Sequence, residues 1–140
     1  MTMPLNISTE VWSDLAKQLE GDLFLDLKTR TLYATDASVY REMPLAVVLA
    51  KTKRDIQLLI QFAVKHNVAL IPRTAGTSLG GQVVGNGIVV DVSKYFNKII
   101  ELNVSEKYVI VEPGVIRDDL NRFLAPHKLW FGPETSTANR

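Results

Sequence analysis

The residues best placed to do chemistry are Ile71-Pro72-Arg73-Thr74-Ala75-Gly76-Thr77-Ser78-Leu79-Gly80-Gly81-Gln82. An apolar run ends there in a cluster of small residues, three hydroxyls and one arginine. Successive backbone N–H groups in such a turn can converge into a nest that binds an anion, and glycine lets a backbone approach a ligand without a Cβ in the way. Arg73 adds a charge that either offsets an anion or is simply solvated at a strand end. The competing reading of the loop is a tight connection whose glycines only satisfy backbone geometry, because short glycine motifs match by chance often. It is not a Walker A loop, since no Gly-Lys-Ser/Thr follows, and no helix opens directly after it as a dinucleotide Gly-x-Gly-x-x-Gly requires.

The flanking elements decide what such a loop can serve. Ala46 to Ala50 is an apolar run of strand length. Thr52 stands three residues before Asp55, the spacing of a capping box. Ile56, Leu59, Ile60, Ala63 and Val64 follow at helical spacing, with Gln57, Gln61 and Lys65 expected outside. Asn67 is a suitable left-handed terminator, and Val68 to Ile71 reads as the next strand. Strand, helix and strand in this order make a βαβ unit with parallel strands. The loop therefore leaves the carboxyl end of a parallel strand, where open α/β sheets bind ligands.

Gly87 to Val92 reads as another strand, and Ile99–Asn103 and Tyr108–Glu112 read as a hairpin turning at Val104–Lys107. A short helix from Ile116 to Leu124 turns Ile116, Leu120, Phe123 and Leu124 to one side and stops at Pro126. Ahead of these lies an amphipathic helix over 9–20, capped by Ser8 or Thr9, with Val11, Trp12, Leu15, Ala16 and Leu19 on one face and Gly21 as its stop. Asp22 to Arg41 reads as short strand and loop. The fold class is α/β (α+β), a small parallel βαβ sheet with appended antiparallel strands. The division is 1–43, an amino-terminal helix and lead-in segment, and 44–140, the module carrying the loop.

Composition removes several classes of function. A net charge of +1, with lysines and arginines scattered among acids, offers no stripe for nucleic acid. The chain has no cysteine, which excludes disulfides, thiolate nucleophiles and cysteine-ligated metals from this stretch and is compatible with a cytoplasmic protein. Met1 to Glu10 lacks the pattern of a signal peptide, and no apolar run reaches the roughly 20 residues of a membrane span. His66 in a helix's last turn suits the macrodipole, and His127 has no metal partner in view. Asp118 and Asp119 suit a helix start, and Trp12 and Trp130 read as core or covered surface. No grouping of residues stands out as a catalyst.

Taken together, Pro44 to Arg140 resembles the amino-terminal part of the FAD-binding domain of the p-cresol methylhydroxylase and vanillyl-alcohol oxidase superfamily, nearest its glycolate oxidase and D-lactate dehydrogenase subunits. The resemblance is carried in order by Val47-Val48-Leu49, by Pro72 to Gln82, by Gly87-Ile88-Val89-Val90-Asp91, by Val111-Glu112-Pro113-Gly114-Val115, by Asp119-Leu120-Asn121 and by Gly132-Pro133-Glu134-Thr135-Ser136. Tyr33 to Ser38 resembles the family's lead-in. It implies that Pro72, Arg73, Thr74, Ala75, Gly76, Thr77, Ser78, Leu79 and Gln82 bind the FAD pyrophosphate side, with backbone amides from Arg73 to Ser78 wrapping it. It implies that Pro133, Glu134, Thr135, Ser136 and Thr137 lie on the flavin side. Thr77 stands where some relatives attach FAD through a histidine, so the cofactor is expected to be non-covalent.

The implied activity is oxidation of a D-2-hydroxy acid such as lactate, glycolate or 2-hydroxyglutarate by hydride transfer to FAD. The alternative is a phosphate- or nucleotide-binding module without redox chemistry. Resemblance to long relatives implies an iron–sulfur centre elsewhere in a full-length protein and an electron acceptor other than oxygen. Departures from the family pattern are Ala50 for proline, Thr74 for glycine, and Glu134-Thr135 for Asp-Pro. The chain reads as cut rather than ended at Arg140, so on its own it is expected to hold FAD weakly or not at all and to be inactive.

Overall fold

A computed structural model describes residues 7–140. The reading of the amino terminus as free of a signal peptide falls largely outside them. The first helix, α1 (Thr9–Gln18), is capped by the Ser8 hydroxyl, which accepts from the Val11 amide. It buries Trp12 and Leu15 and ends at an extended Leu19, so Gly21 is not its stop and Ala16 is exposed. Gly21 serves another purpose. A Cβ there would run into the Leu49 carbonyl, so the glycine lets the chain pass close to the neighbouring strand.

That chain becomes β1 (Asp22–Phe24), which pairs antiparallel with β2 (Ala46–Leu49). Between them lies α2 (Leu27–Leu32), a six-residue helix in a stretch that reads from sequence as strand and loop. The Asp26 carboxylate accepts from the Thr29 amide and supplies the cap. The helix buries none of its own residues, so it has no apolar stripe that would reveal it.

Helix α3 (Lys53–His66) begins with the expected capping box: the Thr52 hydroxyl accepts from Asp55 N–H, and the Asp55 carboxylate accepts from Thr52 N–H. It ends at Asn67 with φ 52°. Its buried face differs from the expected stripe. Leu59, Phe62 and Ala63 are buried with Asp55, whereas Ile60 and Val64 are exposed. The sheet and α1 lie on the Phe62 side, and the Trp12 and Phe62 rings meet at 5.1 Å.

The strand β3 (Leu70–Arg73) starts two residues later than its apolar run, because Val68 packs in the core before pairing begins. With β4 (Ile88–Asp91) it completes a sheet ordered β1-β2-β4-β3. Both β2 and β3 pair parallel with β4, so the strands of the βαβ unit are parallel but not adjacent. Ala46, Val48, Ile88 and Val90 face α1 and α3. Val47, Val89 and Ile71 face Phe24, Tyr33, Leu49 and Val83. Both faces are covered, which is why these strands read as unbroken apolar runs rather than alternating ones. Val47, Val48, Ile88 and Val89 are fully buried, each contributing on the order of 1.5–3 kcal/mol.

The hairpin β5 (Ile99–Asn103) and β6 (Tyr108–Val111) forms a separate two-stranded sheet, its turn carrying Lys107 at φ 56°. Helix α4 (Arg117–Leu124) buries Leu120 and Leu124, while Phe123 is exposed. Pro126 does not end the helical course. It sits in a 3-10 turn (Ala125–His127) that closes at Lys128 with φ 57°, since proline's missing N–H costs nothing in a first turn. Trp130 lies open at 71% exposure, against the expectation of a covered tryptophan.

Candidate cofactor site at the carboxyl edge of the sheet

The register aligns Leu49, Asp91 and Arg73 side by side at the carboxyl ends of the three parallel strands. The loop leaves from this edge. Its first residues, Thr74 and Ala75, form one wall of a cleft of ≈ 300 Å³, with Pro113, Gly114, Val115 and Ile116 opposite and Ser93 and Arg140 completing the lining. The opposing wall is set by a close approach. The Gly114 amide donates to the Phe96 carbonyl at 2.7 Å, and a Cβ on Gly114 would stand 2.6 Å from that oxygen and 2.9 Å from the Ser93 Cα.

Among the described residues, none of the backbone N–H groups from Thr74 to Leu79 donates to another part of the chain. Unpaired amides are stable only where water or a ligand satisfies them, and Thr74, Ala75 and Thr77 are exposed. The chain instead fixes the loop through its carbonyls and side chains. The Gly76 carbonyl accepts from the Ala37 amide at 3.0 Å, and Gly76 adopts φ 69°. The Ser78 hydroxyl accepts from the Gly80 and Gln82 amides at 3.3 and 3.2 Å, tying off the far side of the loop. Gly81, at φ 72°, lies against Tyr40, whose Cδ2 would be 2.7 Å from a Cβ there.

Arg73 does not point into open space. Its Nη1 donates to the Thr35 and Tyr33 carbonyls at 2.8 and 3.3 Å, and its Cζ lies 5.1 Å from the centre of the Tyr33 ring. The Tyr33 hydroxyl donates to Asp91 Oδ2 at 2.6 Å, and burial, with the Asp91 carboxylate added, drives that phenol's pKa well above its usual value. Asp91 Oδ1 accepts from both the amide and hydroxyl of Ser93, at 2.7 and 2.6 Å. A buried carboxylate, 6% exposed, is thus satisfied on both oxygens.

The other expected site residues are dispersed. Pro72 lines an apolar groove with Val90 and Phe96 and is not part of the cleft's lining. Leu79 is 80% exposed and Gln82 is also exposed. Pro133, Glu134, Thr135 and Ser136 are exposed, and Thr137 partly so. Thr135 donates to the Thr137 carbonyl, and Glu134 lies 3.7 Å from Arg117. Ser93 lies in none of the matching segments, and Gly114 and Tyr33 lie in matching segments but carry no site role from sequence. For Ser93 the available signal was an Asp-x-Ser spacing at a strand end, where an Asx-type turn forms.

No group of histidines and acids that could hold a metal occurs among the described residues, and none of their helices is long and apolar enough to cross a membrane. His66 stacks on Phe62 at 4.4 Å in the last turn of α3.

A family described as an FAD binding domain matches residues 44–140. The chain belongs to that FAD-binding domain family. Among curated proteins it is 42% identical over 127 residues to D-2-hydroxyglutarate dehydrogenase of Haemophilus influenzae, covering 89% of this chain and 12% of that one. It is 34% identical over 112 residues to the mitochondrial D-lactate dehydrogenase [cytochrome] of Kluyveromyces lactis, covering 77% of this chain and 19% of that one. The chain therefore spans a small part of the length of the relatives it matches.

The fold recurs in an alkyldihydroxyacetonephosphate synthase, with TM-score 0.81 at 19% identity over 99% of this chain and 28% of that one. It recurs in p-cresol methylhydroxylase, with TM-score 0.72 at 18% identity over 92% of this chain and 27% of that one. The resemblance inferred from the motifs is shown by these matches, and the mixed α/β sheet is that of the FAD-binding domain.

Proposed function

We propose that this chain holds the pyrophosphate of FAD in a flavin-dependent dehydrogenase acting on a D-2-hydroxy acid. The observation that carries the proposal is the row of uncommitted amides from Thr74 to Leu79, set where the parallel strands end, within the region matched by the FAD-binding family. Uncharged N–H donors converging in a turn can hold a dianion without bringing in a countercharge that must itself be desolvated. Thr74 and Ala75 present the loop to the cleft, and Gly114 keeps the opposite wall within reach. Pro133 to Thr137 would lie toward the flavin. They are exposed here, with Thr137 partly covered.

FAD, when bound, supplies the hydride acceptor for the substrate's α-carbon. The residues of this chain bind and orient; none is assigned an acid–base role. The substrate class is supported by the relatives, which include D-2-hydroxyglutarate and D-lactate dehydrogenases. Thr77, with no histidine in the loop, supports non-covalent attachment.

The test is to acid-precipitate the intact polypeptide, record the spectrum of the supernatant, and assay the native protein with D-2-hydroxyglutarate, D-lactate and glycolate and an artificial electron acceptor. A flavin spectrum with dye reduction by one of the three is expected. A colourless protein that binds nucleotides or pyrophosphate alone would replace the proposal with a phosphate-binding module lacking redox chemistry.

A further inference from the structure

Arg73 looks from sequence like a countercharge for the phosphates, but its surroundings assign it other work. Nη1 is engaged by the turn that follows α2, through the carbonyls of Tyr33 and Thr35. The guanidinium lies over the Tyr33 ring. On the loop side, a Cβ at Gly76 would run into Nη2 and lie 2.8 Å from Cζ. The guanidinium thus occupies the space that a side chain at position 76 would need. Gly76 at φ 69° bends around it, and the Gly76 carbonyl is in turn held by the Ala37 amide of the same lead-in segment. Tyr33 is itself anchored to the sheet through Asp91, which Ser93 holds from the cleft side. One connected set of contacts therefore runs from the end of β4 through Tyr33 to Arg73 and into the loop.

We infer that Arg73 is a positioning residue: it clasps the segment from Tyr33 to Thr35 beneath the loop and fixes the backbone whose amides bind the pyrophosphate, without touching the phosphates itself. The inference rests on the pyrophosphate reading above for its functional consequence, though not for its geometry. A planar, five-donor guanidinium can bridge carbonyls and stack on a ring at once, which a lysine ammonium cannot. A loop that visits its binding shape only part of the time weakens the apparent affinity by that fraction.

The test uses the intact polypeptide with Arg73→Ala, Arg73→Lys, Gly76→Ala and the Arg73→Ala/Gly76→Ala double variant. FAD affinity is measured by flavin fluorescence, and backbone mobility at Thr74–Leu79 by ¹⁵N relaxation of the flavin-free protein. Both Arg73 variants are expected to weaken FAD by about tenfold to a hundredfold, the equivalent of one charge-assisted hydrogen bond, and to raise mobility from Thr74 to Leu79. Gly76→Ala, which keeps the charge but both strains the φ 69° backbone and evicts the guanidinium, should weaken FAD at least as much, and the double variant should be no weaker than the worse single one.

Rescue by lysine to near wild-type affinity would identify a point charge on the phosphates and overturn the inference, as would unchanged mobility in both Arg73 variants. Should wild type itself take up no FAD, the pyrophosphate reading fails, and the relaxation data alone still decide whether Arg73 holds the loop. If Arg73→Ala does not fold, Arg73→Lys carries the same decision through its affinity and its loop mobility.

Discussion

Replacing Asp55 by asparagine should destabilise the domain far more than a capping substitution ordinarily does. Its carboxylate is fully buried and accepts four backbone amides: Glu20 at 2.9 Å on Oδ1, and Gly21, Lys51 and Thr52 at 3.1, 2.8 and 3.2 Å on Oδ2. It therefore joins the end of α1 and the start of β1 to the turn between β2 and α3, beyond its part in the capping box. Asparagine keeps the shape, but one oxygen becomes an NH₂ facing amide donors. An N-cap alone is worth about 1 kcal/mol, whereas hydrogen bonds to a charged group are worth roughly 1.5–3 kcal/mol each and donors left buried are costly.

Allowing for non-additivity, the expected loss is about 3–5 kcal/mol, or on the order of 10 °C in Tm for a domain of this size. Acid titration supplies a second check. Burial alone pushes the Asp55 carboxyl up, but the amides of Glu20, Lys51, Thr52 and Gly21 outweigh it and hold its pKa below the ordinary 3.8. A lowered folded-state pKa means that its stabilisation is present above the unfolded value and is lost as pH falls below it. Urea denaturation of wild type should weaken below about pH 4, and Asp55→Asn should flatten that limb. A loss under 1 kcal/mol, or an unchanged acid limb, would refute the reasoning that these amides depend on one carboxylate.

Two further outcomes concern the site. Gly114→Ala should cost about 1–3 kcal/mol, because the added Cβ meets backbone atoms of Val92, Ser93 and Phe96 that cannot rotate away. It should also weaken FAD binding in the intact polypeptide by displacing the cleft wall, and urea denaturation with a flavin titration checks both. Tyr33→Phe bears on alkaline stability: the folded phenol's pKa is raised by burial and by Asp91, so its contribution is complete below about pH 10 and declines as the unfolded tyrosine ionises. The variant should lose that component of the alkaline decline, which pH-dependent chemical denaturation would reveal.

Local rules sufficed wherever a short stretch carried its own physics. Thr52 and Asp55 specify a capping box, Asn67 takes the left-handed stop, and the runs at 46–50 and 87–92 become doubly covered parallel strands. The glycine-rich loop was legible as a turn with unpaired amides, because small residues at the end of a strand leave N–H groups without ladder partners. Helix α2 was not legible, since a six-residue helix with no buried side chain has no period to detect.

The rest was decided by long-range packing. Which face of α3 is buried depended on where α1 docks, so Phe62 turned inward and Ile60 and Val64 outward. The order β1-β2-β4-β3, which inserts β4 inside the βαβ unit, brings Asp91 beside Arg73. Sequence could name Arg73 as a charge beside the glycine-rich loop, but only the folded chain showed it held by carbonyls 38 and 40 residues away. Local spacing fixes helices, turns and loop chemistry through contacts within a few residues. The partners of a buried charge are fixed only once distant segments share a core.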